Sequence, residues 1–418
     1  MNTKRNRTKA RYDSDHIRLN TGEIQRNDGK YCYRWTSSDG KRQCIYAPTL
    51  NQLRFKEAQI NRNREEGLRE DQTNTTINDI YDLWKQTKRG LRDHTFKSYI
   101  YIYDLFVKPS FGNKRIQTVK RTDVKMLYNS LIEGRGITLA TLDNIHTVLH
   151  QVFQLAVDDY IIRSNPSDRM LTELKRSYGR EKKRKALTLE EEELFFSKIY
   201  KDPRYRQWYP MLYIMANTGL RVGELTGLRW CDVNFIKKEI SVNHNLVYYN
   251  HANERGCYYS ISKPKTEAGN RVIPMTDSVV RAFQMQMEYR ELSGIKCLNH
   301  IDGYDDFIFV GRFGGVHNQA TINSAIHRMV KNINFEILEK KGADADTLLV
   351  PDFSCHVLRH TFATRLCERG INIKVIQNLL GHADFETTMN IYVDVTNEIK
   401  RQEMEKFESL GKSRDNAV

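Results

Sequence analysis

Between Ser354 and Tyr392 the chain is punctuated so closely that only short helices joined by tight turns fit. From Cys355 to Arg369, apolar Val357, Leu358, Phe362 and Leu366 recur at helical intervals. Gly370 suits a C-terminal stop, Asn372 caps a second helix running to Leu380, and Gly381 ends it. Asp384 is placed to cap a third short helix that carries Tyr392. His356 and Arg359 share a helix face. Three such helices can bring His356, Arg359, His382 and Tyr392 together.

Two imidazoles, a guanidinium and a phenol are what phosphodiester chemistry without a metal requires. The transition state gathers negative charge on the non-bridging oxygens, and Arg meets that charge in a bidentate manner. A Tyr hydroxyl, with pKa about 10, is a nucleophile only where its proton has somewhere to go. A partner stretch spans residues 216–235, where Arg221 follows a Thr218-Gly219 break and Glu224 lies on the same helical face, able to orient it. Residues 262–275 predict a β-hairpin, with strands near Tyr258–Ser262 and Arg271–Met275 and Lys265 at the turn. Lys263 lies close by, and a turn can present either lysine. The spacing to Thr266 and to Arg271-Val272-Ile273-Pro274 favours Lys265.

In order and spacing, Arg221, Lys265, His356-x-x-Arg359, His382 and Tyr392 resemble the motif of the tyrosine recombinase family of DNA integrases. The resemblance is nearest to integrases of conjugative transposons, similar in layout to lambda-type phage integrases. It covers roughly residues 186–400 by motif and the upstream part by layout. None of the six positions departs from the pattern; residue 382 is His where some relatives carry Trp. The resemblance implies that Tyr392 attacks the scissile phosphate and that Arg221 and Arg359 clamp its oxygens. Lys265 then protonates the leaving 5′-oxygen, His356 exchanges a proton with Tyr392, and His382 donates to the phosphate. It implies no cofactor and no metal. Its partners are double-stranded DNA at arm-type and core-type sites, sister protomers in a homo-tetramer on DNA, and an excisionase-type directionality protein.

The net charge of +14 is unevenly placed. Residues 1–184 hold 36 Lys/Arg against 22 Asp/Glu, and the remainder holds 30 of each. A polyanion is the natural partner of the first half, with affinity that falls steeply with salt. The seven cysteines are scattered and none forms a CxxC pair, which fits a reducing cytosol better than a disulfide framework or a zinc site. No apolar run near 18 residues and no signal-peptide pattern is present, so the expected location is the bacterial cytoplasm, at the nucleoid, with no membrane.

The expected fold class is multidomain α+β. Residues 1–20 read as a disordered basic arm, and 21–71 resemble the arm-type DNA-binding domain of these integrases. In that domain three antiparallel strands, turning at Asn27-Asp28-Gly29 and Ser38-Asp39-Gly40, precede a helix from Thr49 to Gly67. Arg26, Lys30, Arg34, Lys41 and Arg42 lie on or near those strands, placed to meet a major groove. Residues 75–174 read as a helical bundle resembling the family's core-binding domain, which closes on DNA opposite the catalytic domain. Lys97, Lys120, Arg121 and Lys125 are its candidate phosphate contacts, and Thr141 and Asn144 lie on a helix able to approach a groove. The charged run 175–185 reads as a linker. Residues 186–394 read as a mainly helical catalytic domain around one small antiparallel sheet, and 395–418 as a tail helix, which the resemblance implies docks on a neighbouring protomer, with packing on its own domain the alternative.

Three functions are open to such a chain: a mobile-element integrase that also excises, a type IB topoisomerase-like relaxing enzyme, and a non-catalytic DNA-binding regulator on the same scaffold. The basic sheet domain favours the first over the second, because relaxation needs no second DNA address. The complete set of six groups argues against the third.

Overall fold

In the computed structural model, which describes residues 10–37, 40–68, 74–88, 90–177, 186–250, 256–264, 267–341, 347–382, 385–386 and 388–389, the chain divides into two compact units, 1–181 and 182–418.

The first unit opens with β1 (Arg11–Tyr12) and β2 (Arg18–Leu19), an antiparallel pair. The disordered-arm reading therefore fails for this part of residues 1–20, and residues 1–9 lie outside the described ones. Local hydrogen bonding explains the difference. Asp13 accepts from the backbone N–H of Asp15 and Ile17 at 3.0 and 2.7 Å and from the Tyr31 hydroxyl at 2.9 Å. Such side-chain-to-backbone closure leaves no hydrophobic period to read.

β3 (Glu23–Gln25), β4 (Tyr31–Thr36) and β5 (Arg42–Ala47) make the expected three-stranded sheet, and α1 (Leu50–Glu65) follows with Thr49 as N-cap. Register sorts the sheet's faces. Tyr31 pairs with Ala47 and Tyr33 with Ile45, and these join Leu50 and Leu53 of α1 in the domain core. The opposite face carries Cys32 across from Tyr46, Arg34 across from Cys44, and Thr36 across from Arg42. Arg26 lies over the Tyr46 ring at 5.1 Å, and Lys30 continues the alternation. Lys41 falls on the other parity, with Trp35 and Gln43.

α2 (Ile77–Thr87), α3 (Asp93–Phe106), α4 (Arg121–Arg135) and α5 (Leu139–Asp158) follow the expected bundle. Ile77, Tyr81, Trp84, Tyr103, Val148, Val152 and Phe153 fill its interior. One helix, α6 (Met170–Ser177), was not anticipated and runs into the supposed linker. Met170 and Leu174 anchor it in the bundle core, which corrects the linker's start. Three apolar residues, Met170, Leu171 and Leu174, ahead of a basic run are too few to show a period.

In the second unit α7 (Leu189–Lys201) starts at Thr188, which accepts from Glu191 N–H at 3.1 Å while the Glu191 carboxylate accepts from Thr188 N–H at 2.7 Å. α8 (Tyr209–Thr218) and α9 (Val222–Gly227) come next, then β6 (Val233–Asn234), β7 (Glu239–Val242), β8 (Asn245–Asn250), β9 (Cys257–Ser262) and β10 (Arg271–Pro274). α10 (Asp277–Ser293), α11 (Gln319–Lys341), α12 (Cys355–Glu368) and α13 (Ile373–Leu380) complete the described elements.

The single sheet and the hairpin joining residues 258–262 to 271–275 are both corrected. β10 pairs with β7 in a three-stranded sheet with β6, while β9 pairs with β8 in a separate ribbon. His244 makes the break between β7 and β8. Its ring is buried and bonded to the Gly227 carbonyl at 2.7 Å, so the strand turns there, and the chain returning from β9 meets a different partner after residues 263–270. Periodicity locates strands, but it does not choose their partners.

The core of this unit gathers Phe195, Leu212, Met215, Leu225, Ile240, Phe283, Ile326, Met329 and Leu358. α12 is fixed at two levels. Arg359 enters the site, while Thr361 Oγ1 accepts from Leu187 N–H at 3.0 Å and Arg365 donates to Leu187 O at 2.7 Å.

Candidate active site

Three chain segments converge on the C-terminal end of α13. The first is the α8–α9 turn. Gly219 ends α8 at φ +64°, and a Cβ there would lie 2.5 Å from Phe362 and 2.8 Å from Leu380. Its missing side chain lets α8, α12 and α13 meet. Arg221 then caps α9, and its N–H donates to the Glu224 carboxylate at 2.8 Å.

The same carboxylate orients the Arg221 side chain, accepting from Nη1 at 2.7 Å, as the sequence spacing suggested. Nη2 of Arg221 donates to Gly381 O at 3.0 Å. From α12, Arg359 donates through Nη1 to Gly219 O at 2.5 Å and through Nη2 to Leu380 O at 2.7 Å. Arg359 is only 7% exposed. Burial, aided by the charge of Arg221, holds its guanidinium well below the ordinary value, at about 9. Two cations held this close, one of them desolvated, make a site whose natural complement is an anion.

His382 follows Gly381, with its N–H on Gln377 O at 3.2 Å and Nδ1 3.0 Å from the Thr388 hydroxyl. Burial first, and then Arg359 and Arg221, push its pKa down to about 4, so the ring is neutral near pH 7. His356 lies half-buried on the first turn of α12, N-terminal to Arg359. The structure thus brings Arg221, Arg359 and His382 onto one turn. Lys265 and Tyr392 lie outside the described residues, as does most of the third short helix expected from Asp384.

A group that the sequence reading left without a role stands beside these. Arg271 of β10 grips Glu224 with both ends of its fork, Nη1 to Oε1 at 3.0 Å and Nη2 to Oε2 at 2.8 Å. Glu224 is 2% exposed along its side chain, and its pKa is nonetheless about 2, because Arg271 first and then Arg221 outweigh burial. The signal available in the sequence was an acidic residue in the first turn of α9 that needs more than one cation.

The DNA-contact candidates sort by exposure and pairing. Arg26, Lys30, Arg34 and Arg42 are exposed on one face of the N-terminal sheet, whereas exposed Lys41 lies on the other parity. In the bundle Lys97 pairs with Asp93 at 2.8 Å. Lys125 and Arg121 both reach Glu173 of the unanticipated α6, at 3.2 and 3.9 Å. Lys120 and Asn144 are exposed, and Thr141 Oγ1 sits 3.1 Å from Thr138 Oγ1.

Residues 185–398 match the phage integrase family, residues 7–77 the DNA binding domain of Tn916 integrase, and residues 76–132 the N-terminal SAM-like domain of phage integrases. The chain belongs to the phage integrase family, the tyrosine recombinases, an enzyme class acting on DNA. A transposase from transposon Tn1545 of Streptococcus agalactiae is 29% identical over 413 residues, spanning 96% of this chain and 97% of its own. A transposase from transposon Tn916 of Enterococcus faecalis is 29% identical over 402 residues, spanning 93% and 94%. Among solved structures, the Tn1549 transposon integrase in complex with a circular intermediate DNA superimposes with a TM-score of 0.68 at 30% identity, over 79% of this chain and 99% of that one. With these relatives, the chain is a site-specific recombinase of the mobile-element kind. Among the described residues no helix is long and apolar enough to cross a membrane.

Proposed function

We propose that this recombinase integrates and excises its element by cutting and rejoining DNA through a 3′-phosphotyrosyl link to Tyr392. The phenolic oxygen attacks phosphorus and the bond to the 5′-oxygen breaks. Lys265 supplies the proton to that leaving oxygen, and His356 takes the phenolic proton. Arg221 and Arg359 hold the non-bridging oxygens in place of the carbonyls of 380 and 381. Nδ1 of His382 lies 3.0 Å from the Thr388 hydroxyl, and in this reading the hydroxyl donates there and leaves Nε2–H as the donor to the phosphate. A 5′-hydroxyl from a second duplex reverses the step and joins exchanged strands, so the covalent link conserves the bond energy and no ATP is needed.

The observation that carries this reading is the convergence of Arg221, Arg359 and neutral His382 on a single turn. The open face of the N-terminal sheet, with Arg26, Lys30, Arg34 and Arg42, takes arm-type DNA, and the helical bundle takes core-type DNA. Relatives support this partner: the Tn1549 integrase structures hold DNA. Four protomers assemble on the DNA, an excisionase-type protein sets direction, and the tail helix of 395–418 joins protomers. The work takes place at the nucleoid, in the bacterial cytoplasm.

The test is excision in cells. A plasmid carrying both ends of the element, cloned from the genome that encodes this chain, is supplied with wild type or Tyr392→Phe. Wild type is expected to yield the circular junction and the rejoined flank by sequencing, and the variant neither. Relaxation of a supercoiled plasmid lacking the ends, with no junctions from the plasmid that has them, would replace this reading with the topoisomerase one.

A further inference from the structure

Glu224 poses an electrostatic problem for the proposed chemistry. A carboxylate buried next to a phosphate site repels the phosphate and draws on the charge of Arg221, which it also orients. Arg271 answers it. Its side chain is 6% exposed, against 37% for Arg221. Besides its forked grip on Glu224, it donates through Nε to Leu379 O at 2.7 Å and through Nη1 to Gly269 O at 3.4 Å. Its donors are thus spent on protein acceptors, while the more open Arg221 reaches the turn. Gly381 packs against the same head group: a Cβ there would lie 2.8 Å from Ala268 O and 2.9 Å from Arg271 Nη1.

We propose that Arg271 is a positioning residue that neutralises Glu224, so that Arg221 keeps its charge for the phosphate, and that ties Ala268 and Gly269 to the Leu379–Gly381 end of α13. Arg271 itself does not touch the phosphate. The inference rests on the recombinase reading and extends it to a buried ion pair. Arg suits the task because its planar fork meets both carboxylate oxygens and still leaves Nε for a carbonyl.

The test is single-turnover cleavage of a nicked core-site duplex by the full chain, with binding of the same labelled duplex and thermal melting in parallel. Arg271→Met is expected to cleave on the order of 10²-fold more slowly. Arg271→Lys, which keeps the charge without the fork, recovers part of that loss. Combining Arg271→Met with Glu224→Gln recovers about 10-fold over Arg271→Met alone, because the carboxylate that needed neutralising is gone. Such rescue is what a merely structural role would not give. A double variant no faster than Arg271→Met, or Arg271→Met as fast as wild type, overturns the proposal. If Arg271→Met does not fold, the double variant decides: folded and cleaving supports the role, and unfolded or inactive overturns it. Wild type that forms no covalent complex overturns the recombinase reading and this one with it, whereas active wild type beside an unaltered Arg271→Met overturns the positioning role alone.

Discussion

Arg359 of α12 and Arg221, which caps α9, donate to consecutive carbonyls: Arg359 to Leu380 at 2.7 Å and Arg221 to Gly381 at 3.0 Å. The α13 terminus therefore sets the separation of the two guanidinia. Neighbouring backbone oxygens hold them much as neighbouring phosphate oxygens would.

Arg359→Ala removes one of the two forks. Cleavage is expected to fall by about 10²–10³-fold while affinity for core-site DNA stays near wild type, because one transition-state contact is lost among many ground-state ones. Gel-resolved cleavage and a binding isotherm on the same duplex check it. Unchanged cleavage would remove Arg359 from the chemistry.

Gly219→Ala puts a Cβ into the side chains of Phe362 and Leu380 at a φ of +64°. Strain and overpacking together are expected to cost roughly 2–4 kcal/mol. The check is a lowered midpoint in urea unfolding, with cleavage lost more steeply than stability because Gly219 O also receives Arg359.

Arg34→Ala and Arg42→Ala remove charges from the open sheet face, and Lys41→Ala removes one from the other parity. Each of the first two is expected to weaken arm-site binding and flatten its salt dependence by about one unit of slope, with Lys41→Ala leaving the slope as it is. Binding titrations across a salt series separate them.

Acid should loosen the site through His382. Its folded pKa lies at about 4 against 6.5 ordinarily, so the unfolded chain takes the proton first as pH falls. The stability it contributes is present above 6.5 and is lost between 6.5 and 4. Glu224 acts below that window: its pKa of about 2 against 4.5 means its contribution is lost as pH falls from 4.5 toward 2. Burial lowers His146, His244 and His317 as well, so the diagnostic quantity is a difference. Melting temperature between pH 6.5 and 4 should fall less in His382→Asn than in wild type.

The parts legible in the sequence were those written in local punctuation. Asn372 and Gly381 bound α13 as their types suggest, and Thr188 with Glu191 starts α7. Glu224 orients Arg221 because a capping position sets their spacing. What stayed hidden was long-range choice. The β9–β10 segment looked like a hairpin because its strands alternate, yet buried His244 splits the preceding strand and sends the two halves to different partners. Asp13 ordered a stretch that composition marked as disordered. Arg271 was visible only as a spacing mark for Lys265, since nothing local says that its charge is spent on a carboxylate of α9.

The most direct measurement is covalent trapping in EDTA. The full chain is mixed with a nicked core-site duplex that loses its 5′-hydroxyl fragment after cleavage, and wild type is compared with Tyr392→Phe on a denaturing gel. The account predicts a DNA-linked band from wild type that is absent from the variant. A wild-type protein that binds that duplex yet forms no such band, or a band that persists in Tyr392→Phe, would contradict it.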